Sequence, residues 1–513
     1  MNQNNNNTGA QNYPDYNNPA LRPKKTYSRK EKLLLIPAII LGIMAVNLSI
    51  EWMTDVEWMY AEHFNIMGFS ILWLCYLFAF YAFTWDKSKR SIEGWALAFA
   101  AITLCVWTFI YTHDALMTST FLAIPCLLIL HARVCTLNVD EGQKPNYFAA
   151  FFEGIFGWMF SGIGDAGRAA KSLFIRTNNS AVKKALIGVI IALPVLIVVS
   201  LLLLSADAVF SHIITRYIGT IELRPAFWRV AGSLIFAFLI YSFFYNAISG
   251  QKTLSYTPRQ PYWEPVTIAV IIALPLVVYS VFTYVQFAYL FGSNGLPYGL
   301  NYSSYAVSGF RQLIAVSAIN LTLFFLAHRF TIKNRVIKAL LLLLLVSNCV
   351  MIASSFVRIN MYIAAYGLTW LRFSAFAFNI LISALTLLCG IHLFMPKLPV
   401  IKLAFMAFVV WYLVLSFCNS NAIITRHNLA LEKKDAAITT MHTDSVPLLT
   451  KYYADNPNAP ESAKIEKYLS EKLSRLQNMP VMTLNEYRAY SIIKHELKLP
   501  PVNPHYDYEI DAP

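Results

Sequence analysis

The chain has 513 residues, 57% of them apolar and only 13% charged, with 41 Lys and Arg against 28 Asp and Glu for a net charge of +13. A water-soluble protein carries about a quarter charged residues, so much of this apolar surface must face something other than water. An ordinary cytosolic enzyme, a disordered chain and a disulfide-rich secreted module are excluded; a polytopic membrane protein remains.

Residues 1–32 are polar, Asn-rich at first and then basic through Arg22, Lys24, Lys25, Arg29, Lys30 and Lys32. With no apolar stretch, they read as a disordered cytoplasmic tail rather than a cleavable signal peptide. The basic cluster is expected to set topology and touch anionic headgroups, and no nucleic-acid partner is expected. Apolar runs begin at residue 33. Crossing a hydrocarbon core of about 30 Å takes roughly 20 helical residues. Eleven segments meet that requirement: 33–50, 66–85, 95–111, 116–131, 185–204, 227–247, 265–291, 311–328, 338–357, 373–394 and 402–422. The expected fold is therefore all-α, a polytopic integral membrane helical bundle of about 11 transmembrane helices over 33–422. Its third and fourth spans meet at Thr112–Ala115 as a hairpin.

Residues 147–175 mix aromatics with Glu153, Asp165, Arg168 and Lys171, and read as an interfacial or re-entrant segment on the cytoplasmic side. After residue 422 the composition turns polar. Residues 423–513 are expected to form a small helical extracytoplasmic tail. One helix there opens at Pro460 and Glu461 and carries Ile465, Tyr468, Leu469, Leu473 and Leu476. A second follows the capping box Thr483-x-x-Glu486.

Basic residues orient the spans. With the N-terminus cytoplasmic, the inner segments hold 24 Lys and Arg, whereas the short outer loops and their edges hold six: Arg216, Arg224, Arg229, Arg311, Arg358 and Arg372. That asymmetry predicts a multi-pass protein of the inner membrane with its C-terminus outside.

The chemistry these residues offer is narrow. All 28 acidic residues fall outside the span interiors, where a carboxylate-coupled carrier would need one. Mid-span polarity comes instead from Gln286, Asn320, Asn348 and Asn379, expected mainly to bond between helices. No phosphate-binding loop, His-x-x-x-His pair, Cys-x-x-Cys pair or Gly-x-Ser-x-Gly elbow is present, so no cofactor and no metal are expected. The outer basic residues are all arginine, whereas the inner segments use 15 Lys and 9 Arg. Arginine's planar fork suits phosphate. A hypothetical external anion site is drawn from Arg358, Arg372, Arg311, Asp207, Tyr362, Tyr366 and Tyr302. It would bind an anionic lipid of the outer leaflet. The competing account is an aromatic belt whose arginines pair with carboxylates or backbone carbonyls.

Several stretches resemble a known family. They are LLLLSADAVFSHI (201–213), YVQFAYLFG (284–292), GLNYSSYAVSGFRQLIAVSAINL (299–321), RINMYIAAYGLTWLR (358–372), NSNAIITRHN (419–428) and HTDSVPLL (442–449). Together they resemble the bacterial multi-pass membrane family known as domain of unknown function 4173, chiefly over 185–450. The resemblance implies an integral membrane protein with this segment order and supplies no activity. Three functions stay open. The first is a non-enzymatic envelope scaffold or regulator whose tail meets another membrane or envelope protein. The second is a transporter or flippase for an anionic lipid-linked substrate, and the third an intramembrane transferase using a lipid-linked donor. A carrier should expose a polar cavity lined by the mid-span amides. A transferase should gather a carboxylate, with Asp207 foremost, beside the arginines.

Overall fold

The computed structural model describes residues 27–54, 58–86, 91–136, 147–174, 223–249, 263–290, 302–332, 334–431, 441–479 and 481–497. Among them the chain is helical throughout, with one isolated bridge between Trp263 and Thr331. Ten helices are long and apolar enough to cross a membrane. They correspond to ten of the eleven expected segments, and the remaining one, 185–204, lies outside the described residues. The protein is an all-α polytopic helical bundle and a multi-pass membrane protein.

The chain divides into two compact units. The first joins residues 1–43 to 158–249. Its described helices are α1 (Arg29–Leu33), the start of α2 (Leu35–Thr54), α7 (Ile163–Phe174) and α8 (Leu223–Ser249). Hydrogen bonds from α8 hold the turn before α7: Ser242 Oγ donates to the Trp158 carbonyl at 2.7 Å and accepts from Gly162 N–H at 2.8 Å. Asn246 Nδ2 reaches the same carbonyl at 2.9 Å. At the basic start of the unit, the Tyr27 hydroxyl donates to Asp165 and accepts from Arg168.

The second unit holds α3 (Trp58–Thr84), α4 (Ile92–Ile110), α5 (Asp114–Thr136) and α6 (Tyr147–Phe152). It continues with α9 (Pro265–Val285), α10 (Tyr302–Phe330), α11 (Arg335–Tyr366), α12 (Trp370–Phe394) and α13 (Val400–Phe417). Helices α4 and α5 pair across Tyr111–His113, as the hairpin expectation required. Helices α9 to α12 enclose a core around Ile272, Phe324, Leu341, Leu344 and Ile382. Helix α11 has 32 residues, about 48 Å at 1.5 Å per residue, and so overruns the expected 338–357. A charge at position 358 looked like a span boundary, but Arg358 is buried and the helix continues two further turns.

The segment expected at 402–422 breaks after Phe417. Asn419 adopts a left-handed conformation (φ 47°) and its side chain accepts from Ala422 N–H, starting a separate helix, α14 (Ser420–Ala430). A three-residue turn at Thr443–Ser445 leads into α15 (Val446–Asp455), α16 (Ser462–Gln477) and α17 (Leu484–Ile492). These helices share a core of Val446, Leu449, Ile465, Leu469, Leu473, Leu476, Ala489 and Ile493. The expected capping box forms, with Thr483 N–H donating to Glu486 at 2.9 Å and the Thr483 side chain accepting from Glu486 N–H.

Two ion pairs lie beside the spans. Lys402 meets Glu93, and Arg133, 1% exposed, meets Glu153 across α5 and the turn after α6. Removing one partner of a buried pair strands the other charge and costs about 3–5 kcal/mol, whereas replacing both with apolar groups is close to neutral. Glu153→Ala should therefore lower the thermal midpoint of the detergent-solubilised protein substantially, and Arg133→Met with Glu153→Leu should restore most of it.

Candidate functional site

The functional interest lies at the end of the second unit where α11 stops and α12 starts. Gly367 makes that turn at φ 77° and ψ 179°, a region open essentially only to glycine. Arg372, one turn into α12, folds back over it. Its Nη1 donates to the carbonyls of Tyr366, at 2.9 Å, and Gly367. Its guanidinium lies 4.0 Å from the ring centroid of Tyr362 and 5.7 Å from that of Tyr366. These contacts satisfy the last carbonyls of α11 and stack a cation on an aromatic face. Three of the expected site residues, Arg372, Tyr362 and Tyr366, thus meet as a clamp on a helix end.

Arg358 occupies a different setting. It is 7% exposed and lies across Gly309 of α10, where a Cβ would fall 1.8 Å from its Nη1. Arg311 is exposed on α10 beside an apolar groove. The arginines therefore take three separate environments. Asp207 and the side chain of Tyr302 lie outside the described residues.

Two of the four mid-span amides, Asn320 and Asn348, bond to each other within a longer chain. Tyr279 Oη donates to Asn320 Oδ1 at 2.8 Å, Asn320 Nδ2 to Asn348 Oδ1 at 3.1 Å, and Asn348 Nδ2 to Thr386 Oγ1 at 3.0 Å. This chain of side chains ties α9, α10, α11 and α12 together. Gln286 accepts from Ser354 at 2.5 Å, and Asn379 donates to the Ile352 carbonyl at 3.5 Å. All four amides are buried. Asn320 and Asn348 are each other's partners, whereas Gln286 and Asn379 bond to Ser354 and to backbone.

A second polar cluster was not singled out as a site from the sequence. Asn428 of α14 presents its amide to the backbone of Leu368: the carbonyl accepts from Leu368 N–H and Nδ2 donates to Leu368 C=O, both at 2.7 Å. Asp444, 7% exposed, accepts from Asn421 Nδ2 at 3.3 Å and from Asn485 Nδ2 at 2.9 Å. It thereby joins α14, the Thr443–Ser445 turn and α17. The His113 ring rests 4.2 Å from Trp370 and stacks with His442 at 6.4 Å. Burial pushes the Asp444 carboxyl above its ordinary 3.8, opposed by both amides, by the charge on His442 and by the backbone at Thr112. The available signal was the crowding of Asn, Thr and Asp residues in NSNAIITRHN and HTDSVPLL, side chains able to close hydrogen bonds at a helix junction.

A family model described as a domain of unknown function, DUF4153, matches residues 98–452, more than half of the chain. This corrects the resemblance to domain of unknown function 4173. Aromatic, glycine and arginine residues at helix ends recur wherever helices meet a membrane interface, so they separate such families poorly. The match also takes in the α4–α5 hairpin, which precedes the stretches that carried the resemblance. No curated protein and no solved structure matches the chain.

Asn428→Leu would leave the Leu368 N–H and C=O buried without their amide, at a cost of about 2–4 kcal/mol. Faster hydrogen exchange over 366–371 and a lower thermal midpoint should follow, with Asn428→Gln milder. Asp444 yields a pH signature of definite sign. Its folded pKa is raised, so its contribution to stability is fully present below 3.8 and is lost as pH rises through the folded value. The stability of the wild type relative to Asp444→Asn should increase as pH falls from neutral, and a difference flat across that range would contradict the assignment.

Proposed function

We propose, for a chain that belongs to the DUF4153 family, that the protein is a non-enzymatic membrane scaffold or regulator that holds a helical domain at a fixed orientation on one face of the cytoplasmic membrane. The observation that carries this reading is the mounting of the tail. Helices α15 to α17 have their own core and are tied to the spans through Asn428, Asn421, Asp444 and Asn485. A domain meant only to be tethered would need no buried polar contacts at its base, since each must be fully satisfied to avoid a net cost. The basic bias of the opposite loops supports an extracytoplasmic position for the tail, in the inner membrane. On the face away from the core, Leu484 and Tyr487 of α17 are 61% and 63% exposed and lie one turn apart, the kind of surface that meets another membrane or envelope protein.

The transporter reading would need the mid-span amides to line a passage, and the burial of all four with the pairing of Asn320 and Asn348 favours a structural role for them. Complementation of a deletion strain separates the two. Asn320→Leu with Asn348→Leu replaces both partners of one hydrogen bond and should keep protein level and envelope integrity at the wild-type value. Asn428→Leu with Asp444→Ala, which loosens the tail, should lose complementation while the chain still inserts. The reverse pattern would replace the scaffold by a carrier.

A further inference from the structure

Arg311 stands apart from the other arginines at its end of the bundle. It lies two residues into the span Gly309–Phe330, its side chain is exposed, and no carboxylate or carbonyl among the described residues pairs with it. Beside it is a groove of about 350 Å³ between α10, α12 and α13, walled by Ile314, Leu371, Ala375, Phe378 and Trp411. The Trp411 indole N–H, the one ring donor on that wall, is already given to the Ala377 carbonyl at 2.8 Å. Ser374, the other polar side chain on the wall, gives its hydroxyl proton to the Leu371 carbonyl at 3.1 Å, and apart from Arg311 the remaining wall residues are apolar. From Leu371 to Phe378 helix α12 descends about 10 Å. The groove therefore starts level with Arg311 near the span ends and runs inward along hydrocarbon.

We infer that this groove seats one acyl chain of an anionic phospholipid whose phosphate is held by Arg311. Charge complementarity selects the occupant. An exposed guanidinium at the membrane edge is weakly hydrated and pairs with phosphate through two parallel N–H groups, which a zwitterionic headgroup satisfies less well because it carries its own cation. The size agrees. Ligand pockets run from about 300 to 1,000 Å³, and this groove falls at the small end, enough for a chain segment and too small for a whole lipid. Arg372 is held by carbonyls and Tyr362 and Arg358 is buried, whereas Arg311 is exposed beside the groove. The site is separate from the mounting of the tail and stands whether or not the scaffold reading does.

Native mass spectrometry of the full-length protein, delipidated and then titrated with phosphatidylglycerol or phosphatidylcholine of matched chains, tests this. The wild type should retain one phosphatidylglycerol in preference to phosphatidylcholine. Arg311→Gln, an exposed change that leaves packing intact, should lower phosphatidylglycerol retention about tenfold and leave phosphatidylcholine unchanged. Ala375→Trp, which fills the groove, should lower retention of both. Equal retention of the two lipids by the wild type, or wild-type phosphatidylglycerol retention by Arg311→Gln, would overturn the assignment.

Discussion

Inside hydrocarbon every polar group must find its partner within the protein, and the arrangement of this bundle follows from that constraint. The Tyr279–Asn320–Asn348–Thr386 chain is its clearest expression. Lipid tails are as apolar as leucine, so apolar contact alone gives little reason for one helix to prefer another as neighbour. Hydrogen bonds in series through Tyr279, Asn320, Asn348 and Thr386 add a directional preference. They join the faces of α9, α10, α11 and α12 that also enclose the Leu, Ile and Phe core.

The same requirement governs the end of the bundle, where helices stop and leave carbonyls and N–H groups exposed. At the α11–α12 turn it is met three times over. Gly367 supplies the backbone geometry, Arg372 takes the last carbonyls, and Asn428 closes both polar groups of Leu368. A short loop becomes a rigid seat. On it the tail helices are held by Asp444, whose burial makes the attachment sensitive to protonation. Function, on the scaffold reading, is what a rigid seat permits: a soluble helical domain presented in one orientation relative to the bilayer.

Arginine serves three purposes within a few turns of the same end. Arg372 caps and stacks, Arg358 lies buried across a glycine, and Arg311 stays exposed over an apolar groove. One residue type therefore serves as a structural clamp, as a packing element and, on the inference drawn above, as a lipid contact. A common anion site built from all three would have required them to converge, and the chain instead distributes them over separate helix faces.

Ten of the eleven expected spans, the α4–α5 hairpin and the capping box at Thr483 were legible in the sequence, because each depends on residues within one or two helical turns. Span length and capping are local physics. The break at Asn419, the overrun of α11 past Arg358 and the cluster around Asp444 were not legible. Each depends on what lies opposite in space: Arg358 can stay inside its helix because Gly309, 49 positions earlier, leaves room for it. Asn428 is a functional part of the fold because Leu368 turns its backbone toward it. Periodicity and composition report which residues leave water. Only the tertiary structure decides which partner each buried polar group finds, because that choice is made between helices far apart in the chain.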